Sequence, residues 1–297
     1  MSVGRLAILL ASVSACFAPT VPVGAQCSPA GQCPSGQLCS PDGRCVTSLD
    51  DATPDDTVVP GDAAPSDAAP SDGPPSDAPP AQSLIARWRF SGNLSDDTGN
   101  HPLTVVGTMP TYGVDGPTGL AIRIPNASSY LVAADSPRFD IASGTIRLRY
   151  RLPSTPPSGD LGLFSRDANG TSLPGHLGIR IGHDRRLVVR IQSTTGEAYR
   201  CSASAVTTNA WHAVELSFGP GGLVLRHDGN VVAGTAWTDT ADVPHDCTGA
   251  WTGGIAGNAN PIVLGALTSH ADDGQTTPIT AVAAGVDLDE VEIWANP

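Results

Sequence analysis

The sequence predicts an all-β protein whose folded part is a two-sheet antiparallel sandwich, and three observations carry that prediction. Apolar and polar residues alternate over short runs, the period of a half-buried strand. Turn signals rich in Gly, Asn and Asp separate these runs. Helical periodicity is almost absent. Ile146, Leu148, Tyr150 and Leu152 alternate with Arg147, Arg149 and Arg151, so one face is apolar and the other cationic. Leu177, Ile179 and Ile181 repeat the pattern, as do Leu187, Val189 and Ile191, then Val214, Leu216 and Phe218, then Leu223 and Leu225. Between them fall Gly182-His183-Asp184, Gly219-Pro220-Gly221-Gly222 and Asp228-Gly229-Asn230. About a dozen strands across 83–297 suit one large sandwich domain.

What precedes that domain is of a different kind. Residues 1–25 read as an export signal, with Arg5 ahead of the short apolar run Leu6-Ala7-Ile8-Leu9-Leu10-Ala11. No apolar run reaches the length of about 18 residues needed for a spanning helix. Two cleavage sites compete: Val13-Ser14-Ala15-Cys16 resembles a bacterial lipobox, and Val23-Gly24-Ala25 fits ordinary cleavage after Ala25. Cysteine parity favours the first. Of seven Cys, four fall in the next segment and two at Cys201 and Cys247, which leaves Cys16 odd. A diacylated Cys16 is no free thiol, and its two chains would tie the protein to a lipid bilayer. The expected location is the outer membrane or cell surface, with secretion as the alternative.

Residues 26–46 form a small Cys-rich segment with Cys27, Cys33, Cys39 and Cys45 evenly spaced. It is too short and too poor in large apolar residues to build a core, so disulfides are expected to hold it, in any of three connectivities. Zinc is the weaker reading, because Cys-x2-Cys pairs are absent. Residues 47–82 are an expected disordered linker of Asp, Pro, Ala and Ser, in which Pro-Ser-Asp recurs at 65–67, 70–72 and 75–77. At about 3.1 Å per residue in extended form it reaches on the order of 100 Å.

Residues 83–297 resemble the laminin-G-like, concanavalin-A-like jelly roll common in bacterial surface proteins. The resemblance rests on six pieces in order: Ala86–Asn100, Ala121–Pro125 with Ser129–Leu131, Phe164-Ser165, Trp211-His212-Ala213-Val214, Leu225–Asn230, and the closing pair Ile262–Ala266 and Val286–Trp294. Ser91 and His227 depart from it, since the family carries Asp and a hydrophobic residue there. The stretch 234–260 looks like an insertion, and Cys201 and Cys247 most simply form a bridge that pins it. The resemblance also implies a structural calcium near the first and last strands, for which Asp96, Asn100 and Asp289 are the candidate oxygen ligands.

Net charge −13 excludes a nucleic-acid partner of ordinary kind. The seven His show no metal-ligand spacing, and neither a Gly-x-Ser-x-Gly elbow nor a P-loop occurs. Asp287-Leu288-Asp289-Glu290-Val291-Glu292 resembles the Glu-x-Asp-x-x-Glu strand of laminarinase-type glycoside hydrolases, with Asp in place of the first Glu. A phase break at Asp289-Glu290 predicts a β-bulge there. Trp237 and Trp251 in the insertion are candidates for stacking on sugar rings, or for capping the sandwich. The reading is a non-catalytic, surface-displayed module that binds glycan or protein; a laminarinase-type hydrolase and an envelope protein without a ligand are the alternatives.

Overall fold

The computed structural model describes residues 38–39, 45–46, 82–167, 174–194, 196–267 and 281–296. The chain falls into two units, Met1–Pro75 and Ser76–Pro297. In the first, β1 (Leu38–Cys39) pairs antiparallel with β2 (Cys45–Val46), and Cys39 is the register partner of Cys45. Lipidation of Cys16, the sulfur pairings of Cys27, Cys33, Cys39 and Cys45, and the 47–82 linker up to residue 81 lie outside the described residues.

The second unit is an antiparallel sandwich, with more strands than the dozen expected. Its seven-stranded sheet runs β12 (Gly196–Cys201), β11 (Leu187–Ser193), β10 (His176–Ile181), β9 (Leu161–Arg166), β18 (Ile262–Leu264), β7 (Tyr130–Ala133), β4 (Leu103–Val106). Its eight-stranded sheet runs β15 (Asn230–Val231), β14 (Val224–His227), β13 (Trp211–Phe218), β8 (Gly144–Arg151), β19 (Asp287–Ala295), β6 (Gly119–Arg123), β5 (Thr111–Gly116), and β3 (Ser83–Trp88) also pairs with β19. A separate hairpin joins β16 (Ala236–Thr238) to β17 (Pro244–Asp246). Among the described residues no helix is long and apolar enough to cross a membrane.

The alternation seen in the sequence becomes the core. Ile146, Leu148 and Tyr150 of β8 face Leu177, Ile179 and Ile181 of β10 and Leu187, Val189 and Ile191 of β11 across one continuous apolar cluster. Each is almost wholly buried, and burying such a side chain stabilises by roughly 1.5–3 kcal/mol. The turn between β14 and β15 is Asp228-Gly229, both with positive φ (50° and 79°). That pair matches the right-handed twist of a two-residue hairpin.

The bulge lies where the phase break predicts it. Asp287, Leu288 and Asp289 of β19 oppose Arg151, Tyr150 and Arg149 of β8, and the next pair is Glu292 with Arg147. Three residues of one strand thus span two of the other, with Glu290 at φ 46°. One extra residue inverts the parity. Leu288, Val291 and Ile293 therefore all reach the core, while Asp287, Asp289 and Glu292 share the arginine-bearing outer face.

Candidate ligand-binding site

The insertion turns the outer face of the seven-stranded sheet into a site. Cys201 on β12 and Cys247 just past β17 form the disulfide, with Cα atoms 5.7 Å apart. Next to it the chain leaves the sheet at Gly234, where a Cβ would lie 2.5 Å from the Cys201 carbonyl oxygen and 2.7 Å from its Sγ. Only glycine fits that approach. Trp237 of β16 then packs flat on the sheet. Val188, Tyr199, Cys201, Trp237 and Cys247 form a second apolar cluster, separate from the main core. The Arg180 guanidinium lies 4.5 Å from the Trp237 ring centroid, a cation–π contact, and Trp237 Nε1 donates to Asp184 at 3.3 Å.

A cavity of about 640 Å3 opens between this hairpin and the sheet, within the range of small-ligand sites. Tyr199 and His245 stack in it with centroids 4.3 Å apart. Around them stand Asp160, Arg180, Arg190, Glu197 and Asp239. Arg190 donates to Glu197 at 2.7 Å and lies 3.7 Å from Asp167. Arg180 lies 3.5 Å from Asp160, and His245 Nε2 meets Asp239 at 3.1 Å. Burial pushes the Tyr199 hydroxyl up to about 12, against the opposing charge of Arg190 and with the charge of Glu197 adding to the rise. It stays a neutral donor at physiological pH. Burial alone would raise the Asp239 carboxyl, but the Val243 N–H, His245 and the Ala241 N–H hold it below the usual range. The cavity thus joins an aromatic pair to planar carboxylates and guanidiniums. Such groups present two acceptors or two donors side by side, the complement of paired hydroxyls.

The outer face of the eight-stranded sheet is built differently. Charges alternate across it strand by strand: Arg226 on β14, Glu215 on β13, Arg147 on β8, Glu292 on β19 and Arg87 on β3. Asp287 accepts from Arg123 at 2.6 Å and from Arg151 at 2.8 Å. A cleft of about 480 Å3 lies over Arg147, Arg149, Glu215, Arg226, Glu290 and Glu292. Its polar groups pair with one another as those of the first cavity do, but aromatic rings are missing from its lining.

The candidate site residues fall in several places. Asp96 organises the turn after β3: one oxygen accepts from Arg87 N and Thr98 N, the other from the Thr98 hydroxyl, Asn100 N and His101 N. The Asn100 side chain donates to Thr98. Asp289 accepts from the Thr118 hydroxyl at 2.8 Å through Oδ2, and its Oδ1 is buried without a hydrogen-bond partner. The Asp96–Asn100 turn and Asp289 share no partner. Trp237 is 1% exposed and is not among the residues lining the cavity, so it offers no open ring face; Trp251 joins the main core and donates to Gly253 O at 2.7 Å. Trp237 belongs to the outer cluster and Trp251 to the main core.

The sequence did not single out Tyr199, His245 or Arg190, because they converge only when the insertion folds back over β12. The one cue was Cys201 paired with Cys247. Arg166 was also missed. It is fully buried and donates to Phe139 O at 2.6 Å, Ile255 O at 2.7 Å, Asp135 at 3.0 Å, Asp140 at 3.2 Å and Asn260 O at 3.3 Å, and also to Asn258 O.

No protein-family model and no curated protein sequence matches the chain. Among solved structures it is similar to domain 4 of AbnA, an extracellular arabinanase from Geobacillus stearothermophilus, in complex with arabinotriose: TM-score 0.46, 18% identity, covering 72% of this chain and 93% of that one. It is similar to the Ruminococcus gnavus IT-sialidase CBM40 bound to α2,3 sialyllactose, with TM-score 0.37, 16% identity, and coverage of 52% and 76%. It is also similar to the binding domain of botulinum neurotoxin DC in complex with rat synaptotagmin II, with TM-score 0.47, 11% identity, and coverage of 72% of this chain and only 48% of that one. All three scores are below 0.5, so function has to be argued from this chain's own site.

Proposed function

We propose that residues 83–297 are a non-catalytic glycan-binding module, displayed on the cell surface by an exported chain that is lipid-anchored through Cys16. The observation that carries this is the cavity over β10–β12, where Tyr199 and His245 stand among Asp160, Arg180, Arg190, Glu197 and Asp239. A polyhydroxylated ring pairs with aromatic groups and with carboxylates and guanidiniums, and this cavity is lined by all of these. The laminin-G-like resemblance fits a module that binds through its surface, and the lipobox, the cysteine parity and the linker fit outward display.

A non-catalytic role is favoured by the state of the Asp287–Glu292 strand. A nucleophile has to be free to reach an anomeric carbon. Both Asp287 oxygens are held by Arg123, and one of them also by Arg151. Glu292 accepts from Arg87 and from Trp294 Nε1.

The test is a glycan array probed with the full chain, with and without calcium, followed by titration of a hit. Glu197→Gln and Tyr199→Phe each remove one polar partner and are expected to weaken binding by roughly tenfold or more, while each variant still shows the parent's strand-rich circular dichroism and a cooperative melt. An array without hits, or a hit bound equally by both variants, would rule the reading out. Release of reducing sugar from the bound glycan would replace it with the hydrolase.

A further inference from the structure

The departure at His227 has a structural counterpart at the far end of the β13–β14 hairpin. His212, the second residue of β13, stands opposite Tyr150 of β8, and His227 closes β14 opposite Val214. Both side chains lie on the inner face, at the rim where the core meets solvent, with ring centroids 4.8 Å apart. The turn residue Asp228 completes the group. Among the described residues, this is the one set of three His, Cys, Asp or Glu side chains whose ligand atoms all lie within 4.8 Å of one another.

We infer that His212, His227 and Asp228 form a binding site for a divalent transition-metal cation, zinc by the chemistry of its donors. Two imidazoles and one carboxylate suit zinc with a fourth position left for water. Metal–ligand bonds of about 2.0–2.1 Å in a tetrahedron put the ligand atoms about 3.3 Å apart. Asp228 Oδ2 lies 2.8 Å from His212 Nδ1 and 3.9 Å from His227 Nε2, which brackets that separation. All three ligand atoms lie within 4.8 Å of one another, and seating the ion draws the widest of these separations in.

Two of the three ligands, His212 and Asp228, are held from behind. Metal-bound imidazoles are oriented by a hydrogen bond from their other nitrogen. His212 Nε2 has Thr207 O at 3.1 Å and its hydroxyl at 3.0 Å. The second oxygen of Asp228 accepts from Ala213 N at 2.8 Å, which fixes the carboxylate. The Tyr150 hydroxyl, 3.0 Å from His227 Nε2, is the contact the ion displaces. His212 is buried while Asp228 is half exposed, so the ion has a way in from solvent.

The rival account is a hydrogen-bonded network that needs no ion, and the experiment separates the two. The full chain is used with its thiols oxidised, as verified by a thiol count, and is titrated with zinc after chelator treatment. The parent is expected to bind one equivalent at this site and to melt higher with zinc. His227→Val restores the apolar residue of the resembled hairpin and so keeps the fold. It is expected to bind one equivalent less and to lose the thermal shift. His212→Gln should do the same, and cobalt in place of zinc should give tetrahedral visible bands in the parent only. Loss of a direct ligand should weaken binding by more than the roughly 10–100-fold that outer contacts contribute. Equal zinc stoichiometry in parent and His227→Val, or a parent that binds no zinc, overturns the site.

Discussion

Arg166 shows how a single side chain can organise one end of the sandwich. Its guanidinium ties β9 to the Asp135–Asp140 turn and to the Ile255–Asn260 segment through backbone carbonyls and two carboxylates. Removing one partner of such a buried network leaves the others desolvated and unpaired, at a cost of about 3–5 kcal/mol. Arg166→Leu should therefore lower the urea midpoint by a large fraction of the total stability, and a midpoint within error of the parent would refute the network. Nothing in the sequence marks Arg166, since its acceptors are carbonyls that any residue supplies. At Tyr199 the sign of the pH effect follows from the raised pKa. The unfolded phenol ionises near 10 and the folded one near 12. Its contribution is whole below pH 10 and is lost as pH rises toward 12. Melting temperature should fall over that window, and Tyr199→Phe should flatten the fall; an unchanged slope would contradict the burial of this hydroxyl.

At the scale of elements, the strands were the most legible part of the sequence. Alternation in 146–152, 177–181, 187–191 and 214–218 marks β8, β10, β11 and β13, because each has one face in a single core. The bulge in β19 was legible for the same reason: the apolar parity changes between Leu288 and Val291. Deleting Glu290 removes the extra residue and leaves Val286, Leu288, Val291 and Ile293 in plain alternation on the core face, with Asp289 still opposite Arg149 and Glu292 opposite Arg147. The variant should keep a cooperative melt, and loss of that transition would contradict the bulge. The Cys201–Cys247 bridge closes a loop 46 residues apart in sequence and should contribute about 2–4 kcal/mol. Reduction should lower the melting temperature and, if the hairpin shapes the cavity, weaken glycan binding in parallel. What the sequence could not give is the landing place of that hairpin, which depends on contacts between β16–β17 and β12 rather than on any local pattern.

On the scale of the whole molecule, two outer faces offer themselves, and their chemistry divides them. The eight-stranded face carries a ladder of Arg and acidic residues, and no aromatic side chain lines its cleft. The seven-stranded face carries a cavity with an aromatic pair. Sequence reading offered Trp237 and Trp251 in the insertion either for stacking on sugar rings or for capping the sandwich, and in the folded chain both are buried, as their size favours. The measurement that bears most directly on the central claim is hydrogen exchange followed by mass spectrometry, comparing the full chain alone with the chain saturated by an array hit. The account predicts slowed exchange in 158–160, 180–199 and 239–245, around the cavity. Protection confined to 147–149, 213–215 and 226–229, over the charged cleft, would contradict it.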